Sequence, residues 1–343
     1  MVAAVETAPG QSPTTGRCPR RPVVGWAVFG GACTLLASSI YIRWFTSGDA
    51  RPVASGPDEV SGSTEVWIWI FQVCSPLFAL VAVTHAVRSS RRLGRLSFDA
   101  MLVIAGAVAW WHDPLINWLR PSVFYNAELV NLGSWSEQIP GWISRNARFH
   151  VEPPLLIGAC YLWLGLTFAV IASNAMRQAK ARWPDLRPVH LAGISWLAVF
   201  PLEFLLEVLV IRVELVAYPA AVKPLSLWAG TTHQMPVYGM VLWSGVLASE
   251  GVLRYHVDAR GWSPVEQGAD RLGLSERVRT AVRLLAVVGA VHASALTYDA
   301  TMNVAGLYAG AVDEWPTYLR TQHCGPGTPS ACPGPDAPIL PGG

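Results

Sequence analysis

Hydrophobic residues along the chain fall into seven long stretches separated by shorter polar segments. The stretches cover residues 23–41, 66–87, 97–118, 154–176, 189–212, 229–253 and 281–307. A helix needs roughly 20 residues to cross a bilayer, and each stretch approaches that length. The pattern predicts an all-α fold, a bundle of about seven transmembrane helices over residues 23–309. A polar, disordered segment (1–22) precedes the bundle, and a Pro/Gly-rich tail (310–343) follows it.

The charges of the connecting segments predict the orientation of the bundle. Arginine and lysine are abundant in segments 88–95, 177–187 and 254–279 and sparse in the alternate ones. By the positive-inside rule, these three segments and the N-terminus are cytoplasmic and the C-terminus lies outside. We therefore expect a multi-pass protein of the cell membrane. This orientation is opposite to that of rhodopsins, and no lysine lies within a stretch to hold retinal.

The overall composition excludes several classes of protein. The chain is 52% hydrophobic and 14% charged, with a net charge of +2, which argues against nucleic acid as a partner. Its six cysteines are scattered without metal-binding spacing, so no zinc or iron–sulfur site is predicted. Cys324 and Cys332 flank a Pro/Gly-rich segment of the tail and could form a disulfide on an oxidising side of the membrane.

Ionisable residues inside the apolar stretches are the main candidates for function, because a charged side chain in hydrocarbon costs about 2.5–3.5 kcal/mol on insertion scales. Glu203 and Glu207 are four residues apart in the fifth stretch and share one helical face. Two carboxyl groups so close in a low dielectric cannot easily both ionise, which leaves an acid beside a base. The alternative is a structural pair with Arg212 or with another helix.

The sixth and seventh stretches add imidazole and carboxyl groups. His292 and Asp299 lie on one face of the seventh stretch, and His233 opens the sixth, with Tyr238 one turn later. A single histidine in a membrane helix is more often a packing residue. Several histidines together with carboxylates favour proton transfer, because histidine titrates near neutral pH.

The densest run of polar and aromatic residues extends from His112 to Pro153. Asp113 and Asn117 lie one turn apart at the end of the third stretch, and the loop 119–152 combines aromatic residues with amides. A loop of this length and apolarity predicts a lid that folds back over the helix bundle. The alternative is an anchor that lies on the lipid headgroups.

The same region resembles a known family. The residues that carry the resemblance are Asp113-Pro114 with Asn117, Tyr125-Asn126, Asn131-x-Gly133-x-Trp135, Ile139-Pro140-Gly141-Trp142 and Glu152-Pro153. The pattern is similar to that of the AveC-type spirocyclases, actinomycete membrane proteins of macrolide polyketide pathways. The resemblance implies formation of the 6,6-spiroketal of avermectin-, milbemycin- or meilingmycin-like macrolides, and in some members a subsequent dehydration of the spiroketal ring.

The candidate residues suit this chemistry independently of the resemblance. Spiroketal formation from a dihydroxy-ketone requires an acid, a base and carboxylates that stabilise a transient cation, but no redox cofactor, nucleotide or metal. The predicted catalytic residues are Asp113, Glu152, Glu203, Glu207, His233 and Asp299. The predicted substrate-binding residues are His112, Asn117, Tyr125, Asn126, Trp135, Trp142, Tyr238 and His292. The expected partners are a hydrophobic macrolide and the lipid bilayer, without an obligate protein partner.

Two other functions fit part of the sequence. A transporter or exporter of a hydrophobic polyketide would also enclose a polar cavity within a helix bundle. A haem-binding oxidoreductase would require two histidines at matched depth, which only His112 and His233 offer. The predicted orientation places the acid–base residues in the outer half of the membrane, whereas polyketides are assembled in the cytoplasm. A lipid-dissolved substrate can reach either leaflet.

Overall fold

The computed structural model describes residues 21–311 and 315–321. The proposed Cys324–Cys332 disulfide and nearly all of the predicted N-terminal segment lie outside these ranges. Seven long helices form the body of the protein: α1 (Pro22–Ser47), α2 (Gly62–Leu93), α3 (Phe98–Ala109), α4 (Ala159–Arg182), α5 (Pro188–Arg212), α6 (Val237–Tyr255) and α7 (Glu276–Gly306). A single turn, α8 (Thr317–Arg320), follows them. All seven predicted stretches thus contain helix.

Five helices are long and apolar enough to cross a membrane: α1, α2, α5, α7, and α4 together with the turn before it. Helices α3 and α6 are shorter, with 12 and 19 residues. The count of seven spans and the cytoplasmic N-terminus therefore stay predictions. The predicted helix start at residue 229 is wrong, because residues 229–236 form turns and a short strand before α6. Beyond Ala109, the third stretch continues as a 3₁₀ turn through Asn117, where Pro114 removes an amide donor.

Helices α1 and α7 pack very closely through two glycines. A β-carbon at Gly30 would lie 2.0 Å from the carbonyl oxygen of Leu285, and one at Gly289 would lie 2.2 Å from that of Trp26. Only glycine allows the two backbones to approach to this distance, as at the small-residue contacts of membrane helices. The terminal helices of the bundle are therefore held together.

One end of the bundle carries the long connections. This lid end consists of residues 48–61, 118–153, 213–236, 307–311 and 315–321. Three antiparallel pairs of two-residue strands tie it together: β1 (Phe124–Tyr125) with β2 (Val216–Ala217), β3 (Ala220–Ala221) with β6 (Gly310–Ala311), and β4 (Ser226–Leu227) with β5 (Met235–Pro236). The first two pairs join segments far apart in sequence, so the connections form one layer over the helices.

The loop 119–152 is anchored in this layer by Trp135. Its side chain is fully buried, and its indole nitrogen donates to the carbonyl oxygen of Trp111 at 2.7 Å. The Trp135 ring packs edge-on against Tyr41, Trp44 and Trp110, with centroid distances of 4.9, 5.4 and 5.0 Å. The loop is therefore a packed part of the fold.

The opposite end of the bundle is called the charged end. It consists of the connections 94–97, 183–187 and 256–275 and of the helix ends that they join. Arg254 donates from Nε to Asp99 at 2.9 Å, and Asp99 lies 2.8 Å from the His85 ring. The Arg283 guanidinium lies 2.7 Å from the carboxylate of Glu266, and both side chains are almost completely buried. Asp99 and Glu266, two buried carboxylates at this end, therefore each have a guanidinium partner.

Candidate active site

A cavity of about 440 Å³ lies within the bundle, enclosed by α2 to α7 and the strand pair β1–β2. Aliphatic and aromatic side chains form most of its wall. Ten carboxyl, imidazole and phenol side chains interrupt this wall: His112, Asp113, Tyr125, Tyr161, Glu203, Glu207, Tyr218, Glu250, Tyr298 and Asp299. An apolar chamber with a few convergent polar groups is the usual form of a small-molecule site.

Asp113 is held between two tyrosines at the end of the 3₁₀ turn that extends α3. Tyr125 donates its hydroxyl to Oδ2 and Tyr161 donates to Oδ1, both at 2.9 Å. Tyr125 comes from β1 and Tyr161 from α4, so three elements meet at this carboxyl group. Its position is fixed, because each oxygen has a phenol donor.

Glu152 lies behind Asp113, outside the cavity wall and only 3% exposed. Burial and the adjacent Asp113 carboxylate raise the pKa of Glu152 well above its usual value. Its backbone amide donates to the carbonyl oxygen of Gly133 at 3.2 Å, which ties it to the lid loop. Glu152 therefore holds a proton more readily than a free glutamate does, next to the carboxyl group that faces the cavity.

His112 and Asp299 form a second acid–base pair on the cavity wall. His112 Nδ1 lies 2.9 Å from Asp299 Oδ2, and both side chains are almost completely buried. No hydrogen-bond partner contacts His112 Nε2 among residues 21–311 and 315–321. Asn303 donates to the carbonyl oxygens of Leu115 and Asp299 at 2.7 and 2.8 Å, which joins the 3₁₀ turn to α7. The imidazole thus lies against Asp299 through Nδ1, while Nε2 has no hydrogen-bond partner in the described chain.

Glu203 and Glu207 provide two further carboxyl groups from α5. Tyr218 donates its hydroxyl to Glu207 Oε1 at 2.7 Å. Glu203 is 3% exposed, and its Oε2 atom has no hydrogen-bond partner within the described chain. Arg212 instead stacks over the Trp228 ring at 4.1 Å, so the alternative pairing with this arginine is not formed.

A π-helical turn, Pro154–Gly158, begins α4 directly after Glu152 and contributes Leu156 and Ile157 to the cavity. Ser75 donates to the carbonyl oxygen of Leu156 at 2.9 Å, and Trp163 donates to Ser75 at 3.0 Å. Wide turns of this kind leave helix carbonyls free and occur often at functional sites. Here a side chain of α2 satisfies the freed carbonyl.

The arrangement suits proton transfer within an apolar chamber. It contains carboxyl groups, phenols and an imidazole, which together can donate protons, accept protons and stabilise a cation. Within the described chain, no group of three or more histidine, cysteine and acidic residues has the geometry to hold a metal ion.

Residues 91–323 match the protein family described as Spirocyclase AveC-like, which is more than half of the chain. The chain belongs to the AveC-like spirocyclase family. No curated protein and no solved structure matches the chain. The resemblance found in the motifs of the lid loop is thereby confirmed. The matched range includes every carboxyl, imidazole and phenol group on the cavity wall of this AveC-like protein.

Several predicted site residues of the AveC-like chain do meet in space. Asp113, Glu203, Glu207 and Asp299, predicted as catalytic, line one cavity together with His112 and Tyr125, predicted to bind substrate. Glu152, also predicted as catalytic, does not line the cavity and lies next to Asp113. The structure brings these groups together, and their roles stay predictions.

Two predicted histidines lie outside the cavity. His233 precedes α6 in a turn at the lid end, 4.0 Å from Glu214, because the helix begins later than the sequence suggested. His292 lies behind His112, with both ring nitrogens engaged: Trp111 donates to Nε2 at 3.0 Å, and Nδ1 lies 2.8 Å from the carbonyl oxygen of Val288. His292 therefore supports the wall rather than forming it.

The remaining predicted binding residues stabilise the lid end and do not line the cavity. They are Asn117, Asn126, Trp135, Trp142 and Tyr238. Asn117 accepts from the amides of residues 122 and 123, and Asn126 donates to the carbonyl oxygen of Glu214 at 2.9 Å. The side-chain amides of these two asparagines thus provide hydrogen-bond partners for backbone groups of the loops. The motif that identifies the family is partly a motif of lid structure.

Sequence reasoning missed Tyr161, Tyr218 and the location of Glu250. Tyr161 is the only tyrosine of α4, three residues after its π-helical turn, which was a usable signal. Tyr218 lies in a loop, and only the pairing of β1 with β2 brings it to Glu207. Glu250 lies one turn before the arginine-rich segment 254–279, so the pattern places it near a cytoplasmic helix end, whereas the structure buries it in the cavity wall.

Proposed function

We propose that this protein is a spiroketal cyclase that converts a dihydroxy-ketone polyketide macrolide into its 6,6-spiroketal by acid–base cyclodehydration. One observation carries the proposal: carboxyl groups from the 3₁₀ turn, α5 and α7 face a single apolar cavity without an arginine or lysine partner within the described chain. Family membership supports a spirocyclase role in polyketide biosynthesis.

The reaction needs only proton transfers and the loss of one water molecule. The first substrate hydroxyl adds to the ketone carbon, and its proton passes to the carbonyl oxygen, which gives a hemiketal. Protonation of the hemiketal hydroxyl releases water and leaves an oxocarbenium ion. The second hydroxyl then attacks this cation and loses its proton to the base, and transfer of that proton from the base to the acid restores both groups to their starting states.

The side chains of the cavity divide these tasks. Glu203, with an unpartnered Oε2, donates the proton that releases water. His112, oriented by Asp299, accepts the hydroxyl proton at Nε2. Asp113, fixed by two phenols, stabilises the cation, because a preorganised negative group in a low dielectric acts most strongly on developing positive charge.

The apolar wall has two functions in this scheme. It excludes water, which would otherwise capture the oxocarbenium ion in place of the second hydroxyl. It also holds the two hydroxyls on one stereochemical path. We extend the proposal to dehydration of the spiroketal ring, since the same acid and base can remove a second water molecule.

The decisive experiment gives the purified protein, in detergent, an open-chain dihydroxy-ketone polyketide. We expect a single spiroketal stereoisomer by mass spectrometry and chiral chromatography, formed faster than in protein-free detergent. Dehydration would appear as a product lighter by one further water. The Asp113→Asn variant is the matched control, because we expect it to fold but not to cyclise the substrate. Unchanged substrate, bound or transferred between vesicles, would contradict the proposal and favour a polyketide transporter.

A further inference from the structure

The cavity extends beyond the acid–base cluster toward the charged end. On α4, Tyr161 contacts Asp113, and Gly165 lines the cavity one turn later, about 6 Å further along the helix axis. On α7, the wall runs from Asp299 back to Val291, about 12 Å away. The chamber is therefore longer than the reacting groups of a spiroketal precursor require.

Glu250 is the carboxyl group in this extension. It lies near the C-terminal end of α6, is 6% exposed and lines the cavity. No hydrogen bond or ion pair involves its side chain in the part of the chain that the structure describes. Arg254, one turn later, is the nearest cation along the helix, but its guanidinium binds Asp99 and Ser173 instead.

The neighbouring helix makes room for this carboxyl group. A β-carbon at Gly165 would lie 2.3 Å from Glu250 Oε2, so a larger residue there would displace the carboxyl group from its present position. The other neighbours on the wall are apolar, including Leu102, Val246 and Leu247. A buried carboxyl group without a partner is costly. A cavity shaped around one implies that its partner comes with the ligand.

We propose that Glu250 binds a hydroxyl group on a part of the substrate that does not react, and so selects which end of the substrate enters the acid–base cluster. The proposal rests on the proposed function for the identity of the reacting end. The ligand class is a largely apolar molecule with a hydroxyl group remote from its ketone. A carboxyl group accepts a hydrogen bond from a hydroxyl in either protonation state.

The test uses two synthetic probes: a dihydroxy-ketone with one additional remote hydroxyl group, and its deoxy analogue. For the wild type we expect a preference of about tenfold in kcat/KM and in Kd for the hydroxylated probe, the range of one hydrogen bond in a buried site. Glu250→Leu should abolish the preference by raising KM for the hydroxylated probe, whereas Glu250→Gln should retain most of it.

Two further variants separate binding from catalysis. Gly165→Ala leaves the carboxyl group in the protein but displaces it, so it should also reduce the preference. Glu207→Gln changes another carboxyl group of the cavity wall, and should lower kcat for both probes while the ratio between them stays the same. Melting temperature in detergent shows that each variant is folded.

The outcomes are distinguishable from those of the cyclase experiment. If the wild type cyclises neither probe, the proposed function fails, and the preference in Kd, with its loss in Glu250→Leu, still tests Glu250. If both probes are cyclised but Glu250→Leu keeps the wild-type preference, or loses affinity for both probes equally, the inference about Glu250 is overturned.

Discussion

The cavity and the charged end both bury carboxyl groups, but they surround them differently. At the charged end, Asp99 and Glu266 each bind a guanidinium group, from Arg254 and Arg283. In the cavity, the partners of Asp113 and Glu207 are tyrosine hydroxyls. The difference lies in whether the carboxyl group has a cationic partner.

This contrast separates structural carboxylates from those available for chemistry. A carboxylate paired with arginine stays ionised and cannot exchange its proton easily. A carboxyl group held only by phenols keeps its orientation and can still gain or lose a proton. Arginine thus pairs with Asp99 and Glu266, whereas tyrosine orients Asp113 and Glu207 without supplying a positive charge.

The sharpest test of the contrast compares two aspartate variants. Asp113→Asn should lower kcat for cyclisation by about 10³–10⁴-fold, the upper range for loss of a group in proton transfer or charge stabilisation. Asp99→Asn should destabilise the protein but keep the turnover of the folded fraction. Rates normalised to folded protein measure both. Near-wild-type turnover of Asp113→Asn would remove Asp113 from the site.

A second test breaks the buried ion pair at the charged end. Arg283→Met leaves Glu266 without a counter-charge and should lower the free energy of unfolding by about 3–5 kcal/mol. Denaturant titration in detergent measures this loss. The double variant Arg283→Met with Glu266→Leu should recover most of the stability, since no unpaired charge remains. A single variant as stable as the wild type would refute the structural role of this pair.

Variants of the α5 carboxyl groups should have intermediate effects. Glu203→Gln and Glu207→Gln should each reduce kcat by about 10²-fold or more, because each removes a proton donor or acceptor. Neither should destabilise the fold, since no cation is left unpaired. Tyr218→Phe is the matched control, which removes only the phenol that orients Glu207 and should cost less. If both glutamine variants and Asp113→Asn retain full turnover, the assigned site is wrong.

The smallest expected effect is a dependence of the free energy of unfolding on pH that arises from Glu152. Burial and Asp113 raise its pKa in the folded protein, while the unfolded chain has an ordinary value of about 4.3. The folded state therefore holds one more proton between the two values, and stability falls as the pH rises, by at most about 1.4 kcal/mol per pH unit. Glu152→Gln should flatten this slope. An identical slope in variant and wild type would contradict the assignment.

Much of the fold follows from hydropathy, but the site does so only in part. The apolar stretches predict the helices well, because burial in lipid requires each segment to satisfy its own backbone. The start of α6 was misjudged because the apolar run around Trp228 continues into turns and strands. His233 was consequently assigned to a helix and to the site, whereas it contacts Glu214 at the lid end.

Contacts across the bundle depend on tertiary geometry that no local pattern contains. The face shared by Glu203 and Glu207 is visible from their spacing, but their neighbour Tyr218 becomes apparent only when β1 pairs with β2. His292 and Asp299 share a face of α7. Asp299 nevertheless lines the cavity, whereas His292 lies behind His112. Helical periodicity is too coarse to distinguish them.

The anchor of the lid loop has a consequence for the positions of two groups on the cavity wall. The indole of Trp135 binds the carbonyl oxygen of Trp111, the residue directly before His112 and Asp113. Any movement that lifts the loop at this point also pulls on the backbone that positions both groups. A displacement of the loop at Trp135 would therefore disturb His112 and Asp113 together, so both groups keep their positions only while the loop stays packed.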